Sequence, residues 1–143
     1  MSYDAFEYNL NGIFTDEELN DLIGSWEYFY YRLKRKHDQN SKPFTIKDLE
    51  KILKNPEKYN KPEHNLIYIC VYLLKFESSD KIDKLISDYL LSPFFPPSRN
   101  LFNRIRADYL NKIITIMKKY NNHTEIELFK ISKLERLLLE KNI

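Results

Sequence analysis

Apolar residues near the start of the chain recur at spacings of three and four. From Leu19 to Leu33 they form one stripe, which is typical of an amphipathic α-helix. Thr15 and Glu18 make a capping box in front of that stripe, because each side chain can bind a backbone amide that the helix leaves unpaired. Basic residues at 32–36 suit the negative end of a helix dipole. The pattern predicts a helix over about 16–37.

Two short helices are marked by capping residues and one-sided apolar patterns. Thr45 precedes the apolar positions 46, 49, 52 and 53, and the Asn55-Pro56 step ends that helix. Ser79 or Asp80 begins a helix to about residue 91, with positions 82, 85, 86 and 89 facing inward.

The segment between these two helices has a mixed signal. Residues 66–74 are rich in β-branched and aromatic types, which is also typical of a buried strand. A single strand with no partner would leave its backbone groups unpaired. Pro62 suits the first turn of a helix, so we expect a buried helix over about 63–76, with a strand as the alternative.

Two more helices are predicted after the Pro-rich segment 92–98. The first runs from Ser98 to about Tyr120 and ends at Asn121-Asn122 in a left-handed cap. The second opens with a capping box at 124–127, and its apolar side chains near one face are Ile126, Phe129, Leu134, Leu137 and Leu138. The whole pattern predicts an all-α, bundle-like single domain over 1–143 with about six helices. The only internal break that we expect is at 92–98, where Phe94 and Phe95 form either a core plug or an exposed wedge.

Composition excludes several kinds of site. The chain has 143 residues, which suits one domain, with two glycines and one cysteine. One cysteine excludes an internal disulfide and a cysteine-based zinc site, and two glycines exclude Gly-rich phosphate loops. The longest nearly uniform apolar run, 66–74, is too short to span a membrane.

Individual candidate ligands are also weak. The three histidines are far apart in sequence, so we expect His64 and His123 at the surface rather than on a metal. Asp80 and Asp83 could bind a hard cation weakly, but we expect a hydrated polar face. Cys70 lies among apolar residues, where burial makes a thiol inert. We therefore predict no cofactor and no metal site.

The charges are distributed unevenly along the chain. Residues 1–31 contain seven acidic residues, no Lys or Arg, and nine aromatic residues, whereas residues 97–143 contain ten basic and five acidic residues. These regions either dock on each other within the fold or offer an acidic, aromatic surface to a basic partner. For the second case we predict partner-binding residues in the first helix: Glu17, Asp21, Tyr28 and Tyr31.

Basic residues provide a different hypothesis, in which the chain binds nucleic acid. Clusters of Lys and Arg bind phosphate backbones, and their affinity then falls steeply with salt. The densest cluster lies at 32–37, and a second basic region spans 99–119. The candidate residues are Arg32, Lys34, Arg35, Lys36, His37, Arg99, Arg104 and Arg106.

Arg32 and His37 also match a catalytic spacing. An Arg followed by four residues and a His resembles the motif of HEPN ribonucleases, over these six residues only. That family is helical and often dimeric, and it pairs the Arg and His of two chains across an RNA groove. The resemblance implies that His37 moves a proton and that Arg32 holds the scissile phosphate. The family usually has a polar residue after the Arg, where this chain has Leu33.

The sequence as a whole favours a non-catalytic protein that binds another protein, as an adaptor or an inhibitor. Its rich use of residues with A/T-rich codons and its size suggest a phage or another mobile element. A free cysteine and the lack of a recognisable leader predict a cytoplasmic, intracellular setting. We expect no membrane association, and homo-oligomerisation stays open.

Overall fold

The structure, a computed structural model, describes residues 44–96, 99–103 and 105–141. It contains the helices α1 (Ile46–Lys54), α2 (Pro62–Lys75), α3 (Asp80–Leu91), α4 (Arg99–Phe102), α5 (Ala107–Tyr120) and α6 (Glu125–Lys141). The described residues form no strand, and the all-α prediction is confirmed. The predicted helix over 16–37 lies outside the described residues, so the count of six for the whole chain stays a prediction.

Side-chain caps fix the first turns of α1, α3 and α6. In α1, Thr45 Oγ1 accepts the Asp48 amide at 3.3 Å, while Asp48 Oδ2 accepts the Thr45 amide at 2.8 Å. Ser79 Oγ accepts the Ile82 amide at the start of α3. The predicted box at α6 also forms, since Thr124 Oγ1 accepts the amide of Glu127 at 3.2 Å. These contacts satisfy amides that a helix start leaves without partners.

The ambiguous segment 66–74 is helical. It forms most of α2, whose residues 64–72 are all buried. A helix that is buried all around carries no polar face, which is why its composition resembled that of a central strand. The ring of Phe44 stacks on Tyr68 of α2 at 4.8 Å between centroids, and α2 forms the centre of the apolar core.

The predicted single helix over 98–120 is wrong, because the chain turns between α4 and α5. Arg106 has extended backbone angles, and the Ile105 amide binds the Phe102 carbonyl at 3.3 Å. This turn buries both Phe102 and Ile105, and the Phe102 ring meets Phe95 edge-on at 5.4 Å. Neither Pro nor Gly marks the turn, and the apolar spacing continues through it.

The end of α5 also differs from the prediction. Asn121 is not left-handed, since its φ is −78°, whereas His123 has a φ of 58°. The Asn121 amide group instead donates to the carbonyls of Met117 and Lys118 at 3.0 and 2.8 Å. The side chain therefore satisfies the last carbonyls of the helix, and the reversal falls two residues later.

The predicted inward face of α6 is confirmed at Leu134 and Leu137 and is wrong at Ile126 and Phe129. Its buried residues are Ile131, Leu134 and Leu137, whereas Ile126 and Phe129 are 70% and 63% exposed. The helix packs on α5 and α4. Lys130 links its first half to the end of α3, with Nζ 3.2 and 3.1 Å from the carbonyls of Leu91 and Ser92.

Candidate functional site

Most residues that the sequence singled out lie outside the described part of the chain. This holds for the four predicted partner-binding residues of the first helix and for the cluster at 32–37, which includes the Arg32 and His37 pair. Arg104 is also outside it, and Arg99 is described only as the start of α4. Arg106 is thus the one candidate whose side chain can be placed.

The basic residues of 99–119 with described side chains are largely paired with carboxylates. Arg106 binds both oxygens of Asp108, with nitrogen–oxygen distances of 3.1 and 2.7 Å. Lys118 lies 3.3 Å from Glu135, and Lys119 lies 3.7 Å from Asp80. These pairs lower the local excess of positive charge.

The pKa of Asp108 reflects its pairing. Partial burial raises this pKa, but the hydrogen bonds and charge of Arg106 and the Tyr109 amide outweigh burial and hold it below its usual value. The carboxylate of Asp108 therefore stays charged and keeps Arg106 engaged. Its Arg106 partner also lies over the Tyr109 ring at 5.3 Å.

Asp80 and Asp83 lie in different surroundings, and the predicted hydrated polar face is wrong for Asp83, which is buried. Asp80 is exposed, and its carboxylate accepts the Tyr120 hydroxyl at 3.0 Å. Asp83 is buried at 9% exposure. Among the residues that the structure describes, no group of three His, Cys, Asp or Glu side chains could hold a metal ion.

Cys70 and His64 are both buried in α2. The prediction for Cys70 is confirmed: it is 1% exposed, and burial, with a smaller effect from Asp108, raises the pKa of its thiol to about 12. The prediction for His64 is wrong, because this side chain is only 7% exposed. The burial of consecutive positions in α2 explains the error. His123 is exposed, as expected.

An exposed apolar cluster occupies the start of α6. Ile126, Leu128 and Phe129 are 70%, 47% and 63% exposed, and we call these three residues the α6 apolar cluster. The Nζ atom of Lys133 lies 5.6 Å from the centre of the Phe129 ring. Glu127 turns back to the amides of Asn122 and Thr124, so its charge does not cover the cluster. Ile126 and Phe129 lie three positions apart and therefore share one side of α6, while Leu128 lies further round the helix.

The two phenylalanines of the Pro-rich segment have different roles. Phe95 is 1% exposed and meets Tyr89 edge-on at 5.4 Å. Phe94 is 43% exposed. The segment thus contributes one core side chain and one surface side chain, which combines the two alternatives that the sequence left open.

A groove of about 330 Å³ lies beside Asp83. Its lining comes from the end of α2, the α2–α3 loop, α3 and α5, with Tyr72, Phe76 and Ile116 among its apolar residues. The Tyr72 hydroxyl donates to Asp83 Oδ1 at 2.8 Å and accepts the Ser79 amide at 2.8 Å. Burial, with a contribution from the Asp83 carboxylate, raises the pKa of Tyr72 to about 12, so its hydroxyl stays a donor.

The sequence analysis predicted neither the α6 apolar cluster nor the groove beside Asp83. The apolar residues of α6 lie all around the helix, which is typical of a helix covered on several sides. The prediction of a single apolar face on α6 did not use that signal. Nothing in the sequence distinguished the buried Asp83 from the exposed Asp80, because both belong to the first turn of α3.

None of the helices in the described ranges is both long and apolar enough to cross a membrane. Comparison with protein-family models, with curated proteins and with solved structures finds no match for this chain.

Proposed function

We propose that this protein is a non-catalytic binding protein whose partner is another protein, and that the α6 apolar cluster is part of the contact surface. The observation that carries the proposal is the exposure of Ile126, Leu128 and Phe129 at one helix end. An adaptor or inhibitor of a phage or other mobile element is the role that we favour.

The chemistry of the cluster suits a partner with an apolar groove. Aromatic and large aliphatic side chains that enter a pocket supply most of the energy of typical protein interfaces. A helix that presents neighbouring anchors to a groove is a recurrent mode of recognition. Phe129 is the central anchor in this arrangement, with Ile126 three positions before it on the adjoining side of α6.

The charge around the cluster favours a protein over nucleic acid. Helix α6 carries four basic and four acidic residues, so it offers no net positive field to a phosphate backbone. In α5, Lys118 and Lys119 already face carboxylates. A nucleic-acid-binding protein that uses the regions 32–36 and 99–119 remains the alternative to be tested.

The acidic, aromatic first helix belongs to the same proposal as a second contact region. Glu17 and Asp21 would steer a basic partner, since charge mainly affects encounter and choice of partner. Tyr28 and Tyr31 fall off the apolar stripe of that predicted helix. They are therefore candidates for exposed aromatic contacts.

Affinity capture with matched variants tests the proposal. The tagged full chain is incubated with lysate of the source organism, with and without nuclease, and bound proteins are identified by mass spectrometry. We expect one partner that survives nuclease, and about a 30-fold weaker interaction for Phe129→Ala, as for an interface anchor worth about 2 kcal/mol. Leu74→Ala is the control, because Leu74 is exposed on a different helix, and it should bind like the wild type.

Other outcomes would overturn the proposal. If nuclease removes all bound protein and nucleic acid is recovered, the basic residues carry the function instead. If Phe129→Ala and Leu74→Ala both bind fully, the α6 apolar cluster is not the contact surface. If Tyr28→Ala with Tyr31→Ala also binds fully, the first helix has no part in the contact. A dimer in sedimentation that Phe129→Ala dissociates would make a second copy of the chain the partner.

A further inference from the structure

Asp83 is a buried carboxylate without a basic partner in the described part of the chain. Its exposure is 9%, its Oδ1 accepts the Tyr72 hydroxyl, and its Oδ2 has a longer contact of 3.4 Å from the Ser78 hydroxyl. No cationic side chain in the described residues forms an ion pair with it. Removing an ionised carboxylate from water is costly unless a counter-charge or strong donors compensate. The first turn of α3 offsets part of that cost through the helix dipole, but it brings no cation.

Lys112 brings an opposite charge to the same groove. It is exposed on α5 and lines the groove that Asp83 also lines. No described carboxylate forms an ion pair with Lys112, whereas Lys118 and Lys119 on the same helix each face one. Asp83 and Lys112 do not pair with each other. One groove thus contains a negative and a positive group, each without an ionic partner among the described residues.

The remaining lining suits an apolar group. Tyr72, Phe76 and Ile116 contribute to it, and the volume of about 330 Å³ lies at the small end of ligand sites in proteins. A ligand that fits must carry a cation for Asp83, an anion for Lys112 and an apolar group for the rest of the lining. A simple amine satisfies Asp83 but is repelled by Lys112, and a simple acid has the opposite difficulty.

We propose that this groove binds a zwitterionic α-amino acid with an apolar side chain. The ammonium group binds Asp83, the carboxylate binds Lys112, and the side chain packs on Tyr72, Phe76 and Ile116. This site is separate from the α6 apolar cluster and does not depend on the proposed protein partner.

Calorimetric titration of the full chain tests the two charge contacts with three ligands. The ligands are phenylalanine, phenethylamine, which lacks the carboxylate, and 3-phenylpropanoate, which lacks the ammonium group. We expect phenylalanine to bind with a millimolar or lower dissociation constant, and each single-charge analogue to bind about tenfold more weakly or worse. Lys112→Met should weaken the binding of phenylalanine by a similar factor and should not weaken the binding of phenethylamine.

Variants of Asp83, Lys112 and Lys84 separate loss of the binding site from loss of the fold. Asp83→Asn should abolish phenylalanine binding, and its thermal unfolding shows whether the fold is retained. If it unfolds, Lys112→Met and the three ligands still decide the question, because Lys112 is exposed. Lys84→Met, on α3 and outside the groove lining, is the control and should bind like the wild type. Absence of phenylalanine binding at about 10 mM, or equal binding of phenylalanine and phenethylamine, would overturn the proposal.

Discussion

Buried polar side chains in this protein are of two kinds, and each kind has a different energetic meaning. Asn65 is 2% exposed, and its amide donates to the Tyr59 carbonyl at 2.8 Å and to the Tyr89 hydroxyl at 2.9 Å. Ser87 is fully buried, and its hydroxyl has no hydrogen-bond partner among the residues that the structure describes. Removing a hydrogen-bonded buried group destabilises a fold because its partners lose their hydrogen bond. A buried group without a partner instead lowers stability by its own desolvation.

The substitutions Asn65→Ala and Ser87→Ala should therefore change stability in opposite directions. Asn65→Ala leaves the buried Tyr89 hydroxyl and the partly buried Tyr59 carbonyl without this donor, and we expect it to lower the free energy of unfolding by about 2 kcal/mol. Ser87→Ala removes an unpaired hydroxyl within α3, where alanine is also the better helix former, and we expect a gain of about 0.5 kcal/mol. Urea unfolding measures both. A loss of stability in Ser87→Ala would show that the hydroxyl has a partner.

Cys70 should make the fold sensitive to alkaline pH. The thiol keeps its proton to about pH 12 in the folded state, against a usual pKa of 9.0. Above pH 9 the unfolded chain binds fewer protons than the folded chain, so the free energy of unfolding falls as pH rises. One such group costs about 1.4 kcal/mol per pH unit.

The Cys70→Ala variant isolates this effect. Its stability relative to the wild type should be constant between pH 7 and about pH 8.5, and should then improve by about 1 kcal/mol at about pH 10. Other alkaline groups, including Tyr72 and Lys130, contribute equally to both proteins and cancel. Urea unfolding at several pH values gives both curves, and curves that stay parallel up to pH 10 would contradict the buried thiol.

At the scale of the element, helix starts depend on a few capping side chains. Thr45→Ala should lower the free energy of unfolding by about 1 kcal/mol, because it removes the acceptor of the Asp48 amide. Thr124→Ala should have a similar effect at α6, where Thr124 accepts the Glu127 amide. Thr115→Ala is the matched control. Its hydroxyl bonds the Asn111 carbonyl within α5, so alanine there should be neutral or slightly stabilising.

Thermal or urea unfolding of the three threonine variants distinguishes capping from a general effect of losing a hydroxyl group. Equal losses in all three variants would show that the caps have no special role. The N-cap residue of α5 gives no comparable cap, since Arg106 makes no side-chain bond to the first amides of the helix, and the Tyr109 amide instead donates to Asp108 Oδ1 at 3.1 Å. Tertiary burial of Phe102 and Ile105, rather than local capping, fixes that boundary.

For the whole molecule, the sequence predicted local features better than tertiary ones. Caps at Thr45, Ser79 and Thr124 depend on neighbouring residues, and all three form. The turn before α5 and the burial of Asp83 depend on residues distant in sequence, and neither was predicted. The prediction for α6 failed at Ile126 and Phe129 for the same reason, because Ile126 and Ile131 are equally apolar and only the position of α5 and α4 distinguishes them.

The dependence of partner binding on ionic strength is the prediction that involves both ends of the chain. Acidic residues concentrate in 1–31, while the α6 apolar cluster lies in a region of balanced charge. Salt screens the electrostatic attraction that speeds association, but it does not screen apolar contacts. With the captured partner purified, association should slow severalfold between about 50 and 500 mM salt, while dissociation changes less than about twofold. Phe129→Ala should accelerate dissociation and leave the salt dependence of association unchanged. If log affinity instead falls linearly with log salt concentration because dissociation becomes faster, the contacts are to phosphate groups. The basic residues would then carry the function.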